Sequence, residues 1–178
     1  EFADLYAEEL KAEGGVISGE QFVDECQVES DLELLLPATY VTGSSERMLL
    51  YRELDSLTLD KDVEAFRNRL IDRFGPVPSE TEELLRIVPL RRLAARLGAE
   101  KVFLKGGRMS LFFISNPESP YYQSQAFGKV IAYMMKYTRR CDLREQNTRR
   151  SMLVKDVKNV ETAVGVLQEI VAMQVEEG

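Results

Sequence analysis

Apolar positions recur along this chain with two distinct periods. From Phe22 to Leu36 the period is two. Phe22, Cys26, Val28, Leu32, Leu34 and Leu36 share one side with Asp24 and Ser30, and the other side is mostly acidic or polar (Glu25, Gln27, Glu29, Asp31, Glu33). That alternation predicts a half-buried strand, with room for a bulge near Ser30, ended by Pro37. Cys26 falls on the apolar side and reads as a small core residue. Elsewhere in the first half the period is three to four. Residues 2–13 space Phe2, Leu5, Tyr6 and Leu10 as a helix that Gly14-Gly15 stops. Leu50, Tyr51, Leu54 and Leu57 form the stripe of a helix opened by Ser44 or Ser45 as cap, with Glu46 in its first turn. Asp60 is the predicted cap of a further helix burying Val63, Phe66, Leu70, Ile71 and Phe74. Gly75 suits a left-handed stop, and Pro76 forbids continuation. Ser79 and Glu82 have the spacing of a capping box. Pro89 is expected to break or kink the helix that follows, which resumes through Leu90, Leu93, Ala94 and Leu97 to Gly98. Residues 44–98 therefore read as three or four short helices.

The second half changes character. "KVFLKGGRMSLFFI" places two apolar runs around Gly106-Gly107, a short hairpin. Tyr122, Phe127, Val130, Ile131 and Met134 share one side of a helix over 121–138. "CDLREQNTRRSMLVKDV" predicts a second hairpin turning near Asn147-Thr148. Val160, Ala163, Val164, Leu167, Ile170 and Val171 give a last helix over 159–173, after which 176–178 are expected to fray. Strand, helices, hairpin, helix, hairpin, helix is an α+β order without βαβ repetition. The expected sheet is mixed or antiparallel, built from the first strand and the two hairpins and packed with several short helices.

With 178 residues, 44% hydrophobic and 30% charged, the chain is long enough for one domain with a real core. No apolar run is long enough to span a membrane, no secretory signal is visible, and two distant cysteines suit a reduced, cytoplasmic setting. Glu1 leaves room for a piece cut from something longer. The net charge of −7 hides a division: residues 1–89 carry 21 acids against 8 bases, and residues 90–178 carry 9 against 15. Such asymmetry suits an electrostatic face toward a partner, or balance between the chain's own halves.

Several chemistries are out of reach. With no histidine, the commonest general base and zinc ligand is missing. Two isolated cysteines cannot make a Cys₄ zinc site. No GxxxxGK[ST], GxGxxG or GxSxG motif occurs, and "KGGR" is better explained as a turn. The densest acids, Glu25, Glu29, Asp31 and Glu33, sit on a strand's outer side, which suits a solvated or partner-facing surface better than a metal cluster. Two basic groups are candidate contacts for phosphates or an acidic partner: Arg92 and Arg96, one helical turn apart near Arg86 and Arg91, and Arg139, Arg140, Arg149 and Arg150, near Arg144 and the aromatics Tyr133 and Tyr137. A nucleic-acid-binding module using the basic 86–155 region is one reading, although no RRM, KH or helix-turn-helix signature supports it.

The order of "DLYAEEL", "LLLPATYV", "SSERMLLYREL", "LIDRFGPVP" and "LRRLAARLGAEKV" over residues 2–114 resembles the C-terminal domain of the bacterial transcription-repair coupling factors, the Mfd translocases. Glu46, Arg47, Tyr51, Leu70, Asp72, Arg73, Phe74, Gly75 and Pro78 carry the likeness, which is looser from about 115 onward. The resemblance implies a regulatory, non-catalytic domain over 21–178, with 1–20 a helical lead-in readable as the tail of a preceding motor domain. It implies that this domain docks on a UvrB-like module of its own protein, masks the binding of UvrA and restrains an ATP-driven double-stranded DNA translocase that acts on RNA polymerase. No cofactor is then expected here, since ATP and Mg²⁺ would belong to the motor domains. Glu46, Arg47, Asp72 and Arg73 become candidate interdomain contacts. Their local alternatives are Arg47 with Tyr51 or Glu46, and Asp72 as a cap or paired with Arg69 or Arg73.

Overall fold

In the computed structural model, which describes residues 22–175, two tight turns set the sheet. Gly106 and Gly107 hold φ of 61° and 72°, and Asn147 and Thr148 hold 52° and 66°. Two successive positive φ values make a type I′ turn, whose twist matches that of paired strands. The first turn joins β2 (Ala99–Lys105) to β3 (Arg108–Phe113), and the second joins β4 (Cys141–Gln146) to β5 (Arg149–Val154). β3 pairs β5 antiparallel, and β1 (Gln27–Ser30) adds parallel to β2, giving the order β1-β2-β3-β5-β4. The α-helices are α1 (Ser44–Ser56), α2 (Asp60–Phe74), α3 (Ser79–Arg96), α4 (Gln125–Lys136) and α5 (Val160–Ala172). A mixed sheet with these helices is the α+β arrangement the pattern predicts. The predicted helix over 2–13, the lead-in 1–20 and the frayed 176–178 lie outside the described residues.

Two cores form, and α3 belongs to both. Its first part contributes Leu85 and Val88 to a helical core with Leu36, Val41, Leu54, Phe66 and Leu70. Its second part contributes Leu90, Leu93, Ala94 and Ala95, joined by Leu97 at the cap position just past its end, to the core under one face of the sheet, with Val102, Leu111, Phe113, Val130, Met152 and Leu167. Pro89 stands between the two sets, and of the expected break or kink the break does not occur: one helix runs through it. A proline inside a helix costs about 3 kcal/mol. Each buried leucine returns roughly 1.5–3 kcal/mol, so packing on both sides outweighs the missing hydrogen bond to Leu85. The region 44–98 therefore holds three helices.

Other differences from the pattern have local causes. The strand predicted over 22–36 shortens to four residues. Asp31 N still donates to Leu104 O of β2, and Ser30 Oγ accepts from Leu32 N at 3.0 Å, a local turn at which the ladder ends. Burial still alternates from Cys26 to Leu34, although Val23 is buried and Asp24 exposed, the reverse of the expected order. Neither Ser44 nor Ser45 caps α1, whose cap position is Gly43; the cap positions of α2 and α3 are Leu59 and Pro78. The capping box does not form because Glu82 is taken by Arg67 Nε at 2.7 Å, while the buried Thr81 donates to Leu35 O. Ile71 does not pack: it is exposed on α2. The helix predicted over 121–138 splits into a 3₁₀ turn (Pro120–Gln123) and α4, because Ser124 accepts from Phe127 N and starts a new helix. Tyr121, not Tyr122, is then the aromatic driven fully inward.

Side-chain oxygens tie the layers together. Asn159 Oδ1 accepts from Thr162 N, and the Glu83 carboxylate of α3 accepts from Val160 N at 2.7 Å and Glu161 N at 3.0 Å. A helix N-terminus is thus satisfied partly from another helix. Gly98 is the sharpest steric constraint. Its φ is 85°, and a Cβ there would lie 2.1 Å from Tyr121 Cε1, whose ring packs with Phe22, Tyr122 and Phe127 and whose hydroxyl donates to Leu97 O.

Two substitutions test this account. Gly98→Ala combines a left-handed backbone cost of about 1–2 kcal/mol with overpacking of about 1–3 kcal/mol, so its thermal midpoint should fall by roughly 5–15 °C at 2–4 °C per kcal/mol. Thr148→Gly relieves a β-branched residue held at positive φ. It should raise the midpoint by a few degrees, from about 1 kcal/mol of relief. Calorimetry reads both.

Candidate functional site

The helical layer is held by residues of the recognisable motifs, and they are used inward. Arg47 Nη1 donates to Val41 O at 2.7 Å and Thr42 O at 3.3 Å. Tyr51 Oη accepts from Leu36 N at 2.7 Å, and Tyr40 Oη donates to Gly75 O at 2.8 Å. With Thr81 on Leu35 O, these bonds pin the stretch 35–42 across α1, α2 and α3. Arg47 therefore has a structural task, in place of the expected pairing with Tyr51 or Glu46. Gly75 holds φ of 90°, the positive value the predicted helix stop requires.

What faces outward is a seam between α1 and α2. Glu46 pairs with Arg73, and Glu53 with Arg69, whose second contact is 3.3 Å. Arg73 also lies 5.0 Å from the Phe74 ring centroid. Asp72 is exposed and makes no ion pair among the described residues, so neither Arg69 nor Arg73 is its partner. Leu49 lies three residues from Glu46 and four from Glu53, and Asp72 lies three from Arg69, so each neighbours the seam on its own helix. Leu49 is 64% exposed and Met48 55%, next to the exposed Arg52. Of the four candidate contacts, Glu46, Arg73 and Asp72 come together here and Arg47 does not. Exposed pairs of this kind contribute about 0–1 kcal/mol each.

The basic residues do not form one patch. Arg92 holds Asp60 at 2.8 and 2.9 Å, Arg91 holds Asp55 at 3.0 Å, and Arg86 bridges Glu83 and Glu161. Arg96 and Arg139 are exposed without an ion pair among the described residues. Arg140 donates to Lys155 O, Asp156 O and Tyr133 Oη. Tyr133 is fully buried, which removes it as a stacking aromatic. Arg149 pairs with Glu100, while Arg150 pairs with Glu145 and lies 4.3 Å from the Tyr122 centroid. As strand neighbours, Arg149 and Arg150 point to opposite faces of the sheet.

A cleft of about 380 Å³ opens where the two cores meet, lined by Asp24, Cys26, Asp55, Val88, Arg91 and Arg92 among others. Cys26 is buried, and burial pushes its thiol up to about 12. The neutral thiol is then the native form. Its contribution to stability is complete below pH 9, the ordinary thiol value, and is lost as pH rises toward about 12. Cys141 is raised by burial too. Neither thiol of the folded chain should therefore react appreciably with Ellman's reagent at pH 8, whereas both should react within minutes in guanidinium; a native-state burst of one equivalent would contradict this.

A mixed five-stranded sheet with an attached helical layer, carrying an outward polar seam, makes this an α+β domain. Residues 30–124, just over half of the chain, match the profile of the TRCF domain, and the chain belongs to that family. It is 29% identical over 150 residues to the transcription-repair-coupling factor of Rickettsia bellii, covering 81% of this chain and 13% of that protein. It is 25% identical over 170 residues to that of Rickettsia prowazekii, covering 92% of this chain and 14% of the relative. The similar factor of Staphylococcus haemolyticus is 24% identical over 144 residues, covering 78% of this chain and 12% of the relative. The chain thus spans only about an eighth of the length of the curated relatives it matches. The crystal structure of the C-terminal domain of a transcription-repair coupling factor superposes with a TM-score of 0.63 at 17% identity, covering 83% of this chain and 93% of that one.

Proposed function

We propose that this chain is the non-catalytic regulatory domain of a transcription-repair coupling factor. In this reading it docks on a UvrB-like module of its own protein, masks the surface that takes UvrA, and restrains the DNA translocase. Three things support the reading: membership of the TRCF family, the likeness of most of the chain to about an eighth of much longer relatives, and the exposed seam of α1 and α2. The seam carries the argument. It offers Leu49 as an apolar contact, Asp72 as a charge without a partner, and two ion pairs that water already screens. A clasp that must open needs a modest, polar contact of this kind, so that a few kcal/mol of differential partner binding releases it.

In the intact protein, Asp72→Arg with Leu49→Asp should weaken docking. The expected result is a rise in basal ATPase and in UvrA binding of about tenfold, for about 1.4 kcal/mol of docking energy lost. Arg73→Glu should act in the same direction, since it also breaks the pair with Glu46. Unchanged ATPase and unchanged UvrA affinity in both variants would overturn the assignment of this surface.

A further inference from the structure

The helices of the sheet domain cover one face of the sheet; on the other, the described residues are exposed or half-buried except Leu153, which is buried. Cross-strand register defines this second face. One row runs Glu29, Phe103, Ser110, Leu153 and Asp142, and the next runs Gln27, Lys101, Phe112, Ser151 and Arg144. The intervening residues, such as Val102, Leu111 and Met152, point into the core, and neither Phe103 nor Phe112 joins either core.

Phe103 and Phe112 lie side by side on the adjacent strands β2 and β3, near the middle of the sheet. Their centroids are 5.3 Å apart and their planes perpendicular. Both rings are partly exposed. Cations surround them. Lys101 Nζ and Lys105 Nζ lie 4.7 and 5.1 Å from the Phe103 centroid, and the Arg149 guanidinium lies 5.7 Å from that of Phe112. Acids on this face are already engaged: Glu29 with Lys101, Asp142 with Arg144 and Glu100 with Arg149. Lys105 and Arg108, across the hairpin end, form no ion pair among the described residues. At the other end the face runs into a depression of about 490 Å³ whose lining includes Lys101 and Arg149 but also the acids Asp24, Glu25 and Glu100, so the cationic end is the hairpin end. Arg149 Nε, buried there, has no acceptor.

We propose that this second face binds single-stranded nucleic acid, with bases stacked on Phe103 and Phe112 and phosphates held by Lys105 and Arg108. The proposal is independent of the docking seam on α1 and α2. Two aromatics on neighbouring central strands give unpaired bases a flat apolar platform, and every base has a face to stack. Charge favours the backbone at the hairpin end, where Lys105 and Arg108 form no ion pair among the described residues and the nearby Asp31 carboxylate is held by Gly106 N at 2.9 Å. The lysines now resting over Phe103 do not block it. An exposed ammonium–aromatic contact is weaker than base stacking, and both side chains can swing from ring to phosphate without moving the strands. A duplex cannot use the platform, since its bases are already stacked and paired.

Fluorescence anisotropy tests this with the 178-residue chain and a labelled oligo(dT) of about 15 nucleotides. Binding should be weak, with Kd on the order of 10⁻⁶–10⁻⁴ M, and should fall with salt. Phe103→Leu and Phe112→Leu should each weaken it about fivefold or more while keeping an apolar side chain on the sheet. Lys105→Gln and Arg108→Gln, at exposed hairpin positions remote from the core, should leave the melting midpoint unchanged and each flatten the logarithmic salt slope by about 0.7. No anisotropy change up to about 100 µM chain would overturn the proposal. So would a duplex of equal length binding as tightly as the single strand. Displacement of the oligonucleotide by poly-glutamate at matched charge, with the phenylalanine variants indistinguishable from the parent, would reassign the face to an acidic protein.

Discussion

The structure depends on one helix serving two cores. α3 closes the helical layer with Leu85 and Val88 and the sheet domain with Leu90 and Leu93, and the change of partner happens at Pro89. A single rigid rod then fixes how the outward seam of α1 and α2 sits relative to the sheet. Neither layer could be moved without breaking apolar contacts on one side of that proline. The Glu83 carboxylate reinforces the arrangement by taking the first free N–H groups of α5, so the same helix also anchors the last one.

That frame separates residues that build from residues that meet partners. Arg47, Tyr51, Tyr40 and Thr81 spend their polar atoms on the backbone of 35–42 and Gly75. Their hydrogen bonds shape the helical layer and leave little for a partner. Leu49, Met48 and Asp72 do nothing comparable inside the chain. The family motif is therefore largely a description of how this layer is pinned, with a few outward positions interleaved at helical spacing. A weak seam flanked by exposed apolar groups suits reversible contact, because its ion pairs cost little to rearrange.

The basic second half illustrates how charge counts mislead. Fifteen cations over 86–155 suggest a continuous patch. In space Arg91, Arg92 and Arg86 are matched by acids from elsewhere, Arg140 binds carbonyls, and Arg149 and Arg150 diverge across the sheet. The face with the better claim, around Phe103 and Phe112, was hidden in what looks like two plain apolar runs. Its signal is the alternation of Lys101, Phe103 and Lys105 with Val102 and Leu104, which shows that half of each run faces away from the core.

Local rules made much of this molecule legible in its sequence. Two-residue turns follow from Gly106-Gly107 and Asn147-Thr148, the stop at Gly75 from its freedom at positive φ, and the helical stripes from spacing at three and four. The α+β order and the family likeness are written there as well. Tertiary structure decided the continuity of α3 through Pro89, where packing on both sides of the proline outweighs a local cost of about 3 kcal/mol. It also decided the loss of the capping box at Ser79, because Glu82 is taken by Arg67 of α2. The shortening of β1 and the split at Ser124 come instead from short-range bonds of Ser30 and Ser124 that a hydrophobic pattern does not register. At the candidate sites, sequence marks which residues carry charge or a ring, but only the fold decides which of them already has a partner.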